Sequence, residues 1–216
     1  MIGVDAFVQA EPREVAPRLG DAIHLWRLPW RREHGRAPLL GLLAAYVGVD
    51  VSRLQLEEDA HGKPRLRSPH ALHFNWSHSG ECAVVALSRD FEIGVDIEQP
   101  RAGVRNLELA NRFFSPAEAR TLAECGEADR EEAFFRLWSA KEATLKALGR
   151  GLAFGLEKVE FTPSSRGWQP ARFEAEAGTA ADWQVLPVVP APGYAGALAW
   201  RGPARPVFAG FPIAHR

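Results

Sequence analysis

Sulfur is scarce in this chain: it has two cysteines, Cys82 and Cys125, and a single methionine. The cysteines stand far apart, with no CxxC pattern and no adjacent histidine pair, which argues against a thiolate zinc site and a disulfide framework. Reduced thiols in a cytoplasmic protein are the expectation. Excess charge is also missing. The 26 basic and 27 acidic residues nearly cancel, so the chain lacks the broad positive field of a protein that wraps nucleic acid or lies on an anionic membrane. Long apolar runs are absent too. Residues 39–49 are too few to span a bilayer, and residues 183–200, though uncharged, are broken by Pro187, Pro190, Pro192 and Gly193. The N-terminus carries Asp5 and no basic stretch before an apolar run, unlike a secretory signal.

What is present suffices for a large core: 46% of 216 residues are hydrophobic, enough for one domain or two tightly packed halves. Helical spacing of apolar residues predicts a buried helix over 37–47, ended by Gly48. Residues 56–72 lack periodicity and read as loop. A β-branched run at 83–87, a turn at 88–91 and strict alternation over 92–98 predict a hairpin. A helix is expected over 107–114. Ser115-Pro116-Ala117-Glu118 carries the marks of a helix start, with Ser as cap, Pro first and Glu third. A longer helix follows over 129–148, stopped by Gly149. Beyond Gly151 strands are expected at 157–162, 183–189 and 194–200, and a Pro-rich, irregular tail over 201–216.

Four short segments carry the chemistry. Gly94-Val95-Asp96-Ile97-Glu98 brings two hard oxygen ligands onto one strand face, and the glycine is expected to leave open space beside them; alternating acids also serve plain solubility. In Trp138-Ser139-Ala140-Lys141-Glu142-Ala143-Thr144-Leu145-Lys146, Glu142 and Lys146 lie one turn apart, a spacing that also makes an ordinary helix-stabilising pair. Packed across the acids, this helix would add Glu142 as a third carboxylate and Lys146 as a phosphate ligand. Phe74-Asn75-Trp76-Ser77-His78-Ser79-Gly80 offers hydroxyl and imidazole donors for phosphate, or fills a turn. His61-Gly62-Lys63-Pro64-Arg65 taken alone is a solvated basic loop.

In this order the segments resemble the motifs GKP, FNxSHS, GxDxE and WxxKEAxxK of the 4'-phosphopantetheinyl transferase superfamily, in particular its longer surfactin-type members. The resemblance covers 62–151. It implies an α+β fold with pseudo-two-fold symmetry: two similar halves, approximately 1–100 and 101–216 of a single unit, each a small antiparallel sheet with a long helix, and the active site in the cleft between them. It implies transfer of the 4'-phosphopantetheine arm of coenzyme A to a serine of an apo acyl or peptidyl carrier protein, by a monomer. Asp96, Glu98 and Glu142 are then the Mg²⁺ ligands, Lys146 a phosphate contact, and Glu142 the candidate base. Lys63 and Pro64 border the adenine, Ser77 and His78 bind the nucleotide's phosphates, and Arg36, in Arg36-x-x-Leu39-Leu40-Gly41, joins His78 at the 3'-phosphate.

One departure stands out. The longer basic segment of the family between Trp26 and Arg36 is reduced to RLPWRREHG, which implies either weaker coenzyme A binding or substitution by Arg31 and Arg32. That shortening favours one rival, a degenerate coenzyme A-binding module without transferase activity. A metal-dependent hydrolase of the same site is a second. A pure interaction protein using Trp26, Trp30 and Trp76 is a third.

Overall fold

A computed structural model of the chain describes residues 1–67, 71–101, 104–165 and 167–213. In chain order its elements are β1 (Val8–Ala10), α1 (Pro12–Val15), β2 (Ile23–Pro29), α2 (Ala37–Val47), β3 (Leu56–Glu58), β4 (Pro64–Leu66), β5 (His73–Ser79), β6 (Cys82–Ser88), β7 (Ile93–Glu98), α3 (Asn106–Phe113), α4 (Pro116–Glu124), α5 (Glu127–Leu148), β8 (Val159–Ser164), β9 (Gly167–Phe173), β10 (Trp183–Pro187), β11 (Ala195–Arg201) and β12 (Val207–Pro212). The fold is α+β. A five-stranded sheet runs β1-β12-β2-β6-β5, a three-stranded sheet runs β10-β11-β7, and β3-β4 and β8-β9 are two-stranded.

The period-two pattern of the strands explains how the layers stack. Val84 and Ala86 point from β6 into a core shared with Ile93, Val95 and Ile97 of β7 and with Leu198 and Trp200 of β11, so the two larger sheets face each other. From the opposite face of β6, Ala83, Val85 and Leu87 meet Leu39, Leu42 and Leu43 of α2. On the far side of the three-stranded sheet, Ala195, Ala197 and Ala199 of β11 pack with Leu137, Ala140 and Ala143 of α5. The order is α2, sheet, sheet, α5.

The helices follow local chemistry. α2 spans the expected residues and ends at Gly48, whose φ of 72° is left-handed. α4 opens with a full capping box: the Ser115 N–H donates to Glu118 Oε2 at 2.8 Å and the Glu118 N–H to Ser115 Oγ at 3.3 Å. α5 begins two residues earlier than expected and ends at Gly149, φ 74°.

Four expectations need correction. β6 and β7 do not form a hairpin: β6 pairs with β2 and β5, whereas β7 crosses to the other sheet and pairs with β11. The tail is not irregular, because β12 inserts between β1 and β2, parallel to both, making the larger sheet mixed rather than antiparallel. Residues 56–72 contain the β3-β4 pair, and the segment around Ser77 is a strand, β5, paired along its length with β6. Residues 68–70, 102–103 and 214–216, all in expected loops, lie outside the described residues.

Candidate active site

Alternation along β7 sends Asp96 and Glu98 to the side away from Ile93, Val95 and Ile97, toward α5. Gly94 is where that helix touches. A Cβ on Gly94 would lie 1.9 Å from the Ala143 carbonyl oxygen and 2.4 Å from the Ala147 nitrogen. The glycine therefore does not open space for a ligand, as its place beside the acids suggested; it lets strand and helix backbones meet. This contact brings Glu142 and Lys146 over β7. The Lys146 ammonium donates to Asp96 Oδ1 at 2.7 Å and to the Val95 carbonyl at 3.3 Å.

Asp96, Glu98, Glu142 and Lys146 line one cavity of about 490 Å³ together with Arg36, Trp76, Ser77, His78 and Trp138. The carboxylates repel. Burial first, and then the charge of Asp96, push Glu142 up to about 7; the same two causes, in the same order, raise Glu98. Asp96 is buried, and its Oδ2 has no hydrogen-bond partner among the described residues. A site built so needs a cation or protons. Among the described residues no three His, Cys, Asp or Glu side chains form a ready-made metal cluster.

Arg36 immediately precedes α2 and is half-exposed, 3.7 Å from Glu58. His78 stacks on Trp30, ring centroids 3.8 Å apart and planes within 13°, and tilts against Trp76 at 5.0 Å. Burial and then the Lys146 charge lower the His78 imidazole below its usual range. The Trp30 indole also donates to the Gly35 carbonyl at 3.0 Å, tying down the short segment that carries Arg31 and Arg32. Arg32 lines an adjoining groove of about 520 Å³ with Trp30, His78, Glu98, Phe135 and Trp138.

Not every candidate faces the acids. The Lys63 ammonium is buried and donates to Glu92 Oε2 at 2.6 Å, the Lys146 carbonyl at 2.9 Å and the Ile93 carbonyl at 3.2 Å, so it clamps the GKP turn to the last turn of α5 and the start of β7. Pro64 opens β4 beside it. Neither lines the acid cavity. The Ser77 hydroxyl contacts Asp96 Oδ1 at 3.0 Å.

A buried ion pair went unread in the sequence. Lys141 and Glu118 are fully buried, Nζ to Oε1 2.7 Å, and Lys141 also donates to the Leu156 and Val159 carbonyls. The signal was available: the Glu of a capping box and a lysine on the apolar face of α5.

The profile of the 4'-phosphopantetheinyl transferase superfamily matches residues 92–199, which hold β7, α5 and most of β11. The chain is similar to the 4'-phosphopantetheinyl transferase HetI of Nostoc sp., 32% identical over 80% of this chain and 84% of the relative. It is also similar to the 4'-phosphopantetheinyl transferase Sfp of Bacillus subtilis, 30% identical over 70% of this chain and 65% of that one. The human L-aminoadipate-semialdehyde dehydrogenase-phosphopantetheinyl transferase is 30% identical over 59% of this chain and 45% of its own length. The chain belongs to the 4'-phosphopantetheinyl transferase superfamily, and its relatives include Sfp-type members.

Proposed function

We propose that this protein transfers the 4'-phosphopantetheine arm of coenzyme A to a serine hydroxyl of an apo carrier protein, as a holo-acyl-carrier-protein-synthase-type enzyme, and releases adenosine 3',5'-bisphosphate. The observation that carries this reading is the acid cavity, in which Asp96, Glu98 and Glu142 crowd around Lys146 and Asp96 keeps a buried oxygen without a partner. The donor set fits a hard divalent cation: oxygen ligands only, and a local excess of negative charge. Asp96, Glu98 and Glu142 would hold Mg²⁺, which when bound supplies positive charge to a diphosphate.

The chain's own residues would do the rest. Lys146, anchored on Asp96, would put its ammonium against the phosphate oxygens and stabilise charge as it shifts toward the leaving group. Arg36 and His78 would take the 3'-phosphate. Lys63 and Pro64 would border the adenine through backbone and ring, since the ammonium is spent on Glu92. Glu142, one of the carboxylates lining the cavity, would take the serine proton. The serine oxygen forms the new phosphoester bond at the β-phosphorus, and the bond from that phosphorus to the bridging oxygen breaks, leaving the electron pair on the bisphosphate.

The chain would work as a single unit, 1–216, whose halves near 1–100 and 101–216 are related by a pseudo-two-fold axis with the cleft between them, each built on α2 or α5 and a sheet that takes one strand, β12 or β7, from the other half. A monomer acting in the cytoplasm is the expected form, without nucleic-acid or membrane partners. The near-neutral charge speaks against a nucleic-acid partner, and among the described residues no helix is long and apolar enough to cross a membrane. Intact-mass measurement of apo carrier domains incubated with protein, coenzyme A and Mg²⁺ tests the activity. A gain of one phosphopantetheine, lost with EDTA and with Glu142→Ala, is the expected result. Coenzyme A binding with no gain on fatty acid, polyketide or peptide carriers would favour the degenerate binding module.

A further inference from the structure

β5 and β7 are edge strands of different sheets, and edge strands carry unpaired backbone groups. The β7–β11 register turns the N–H groups of alternate β7 residues away from β11. These N–H groups meet side chains of β5 instead of its backbone. The Val95 N–H donates to Asn75 Oδ1 at 2.8 Å, the Ile97 N–H to Ser77 Oγ at 3.3 Å, and the Gln99 N–H to Ser79 Oγ at 3.1 Å. Asn75, Ser77 and Ser79 are two apart on one face of β5, and all three are buried. They form a side-chain ladder that joins the sheets.

The two serines do something more. Each hydroxyl accepts from a backbone N–H and donates its one proton to a carboxylate: Ser77 to Asp96 Oδ1 at 3.0 Å, Ser79 to Glu98 Oε2 at 3.2 Å. The donor and acceptor on each serine thus engage neighbouring residues of β7 or, at Gln99, the residue just after it, locking the carboxylate relative to its own strand. A hydroxyl so engaged has no proton left for a phosphate. Building on the proposed metal site, we infer that Ser77 and Ser79 are positioning residues that orient Asp96 and Glu98 toward a divalent cation, and that Ser77 does not hold the 3'-phosphate. The alternating residues Trp76 and His78, on the other face of β5, are left to meet the nucleotide. One strand therefore divides its labour by parity. Ligand-orienting hydrogen bonds of this kind sharpen metal affinity by about 10- to 100-fold.

The test is Mn²⁺ binding to the full chain followed by electron paramagnetic resonance, with coenzyme A present, alongside binding of coenzyme A and of 3'-dephosphocoenzyme A without metal. Ser77→Ala and Ser79→Ala are each expected to weaken Mn²⁺ binding at least about tenfold, to leave the preference for coenzyme A over its dephospho form unchanged, and to be rescued in part by threonine, which restores the hydroxyl. Ser79→Ala keeps the test open if Ser77→Ala does not fold. If the unaltered protein binds no Mn²⁺, the reading of the acid cavity falls and this inference with it. Mn²⁺ binding that is unchanged in both alanine variants would overturn the inference alone, as would a reduced preference for coenzyme A in Ser77→Ala, which would return Ser77 to the phosphate.

Discussion

Gly94 on β7 and Ala143 on α5 are in backbone contact, with the Ala143 carbonyl oxygen where a Cβ of residue 94 would be. The obstructing atoms are main chain, so no side chain can swing aside. Gly94→Ala is therefore expected to push helix and strand apart, to cost about 3 kcal/mol of stability, at the upper end for overpacking, and to abolish transfer by separating Glu142 from Asp96. Urea denaturation monitored by tryptophan fluorescence reads the first effect. A loss below about 1 kcal/mol would mean that the contact is looser.

Glu142 should make the metal-free protein pH-sensitive. Its carboxyl holds a proton up to about 7 in the folded chain, above its ordinary value of 4.5. Between these values the folded state binds more protons than the unfolded, so stability falls as pH rises through that window and levels off above it. The total is of the order of 3 kcal/mol. Glu142→Gln removes the charge, and is expected to raise the melting temperature of the metal-free protein at pH 8 while eliminating transfer. A lower melting temperature than the unaltered protein at that pH would contradict the placement of the three acids.

Two lysines of one helical segment should behave oppositely. Lys141 is sealed against Glu118, so Lys141→Met leaves a buried carboxylate with backbone donors at Ser115 and Phe161 but no cation, and should cost about 3 kcal/mol, while whatever folds retains its turnover. Lys146 is partly exposed at the cavity, and Lys146→Ala should lower kcat by about 10²- to 10³-fold and cost less stability than Lys141→Met, through the charge it takes from the buried Asp96. Denaturation midpoints and kcat for the two variants decide it.

Trp30 should matter through His78. Stacking between rings contributes about 0.5–1.5 kcal/mol, so Trp30→Ala is expected to raise the KM for coenzyme A by about two- to tenfold with kcat nearly unchanged, and Trp30→Phe to recover part of it. An equal fall in kcat and kcat/KM would remove Trp30 from substrate binding.

Much of the local structure was legible because its causes lie within a few residues. The capping box at Ser115, the glycine stops at 48 and 149, and the alternation that puts Asp96 and Glu98 on one face all depend on neighbours in sequence. The same reasoning failed at β6 and β7. A short connection between two strand patterns normally makes a hairpin, but the pairing was decided by the edge of β11 and by Lys63, Arg65 and His73 gathering on Glu92 in the connecting turn. β12 was missed because its partners, β1 and β2, lie nearly the whole chain away.

For the site, the sequence by itself determined the chemical types and their local phase: two acids two apart on a strand, and an acid and a lysine four apart on a helix, since these follow from the periods of single elements. Tertiary structure decided what those groups meet. It set the glycine against a helix instead of a ligand, gave the Lys63 ammonium to Glu92, and turned the hydroxyls of Ser77 and Ser79 to Asp96 and Glu98. Which donor finds which acceptor is settled by contacts between elements distant in the chain, where burial penalises every polar group left unpaired.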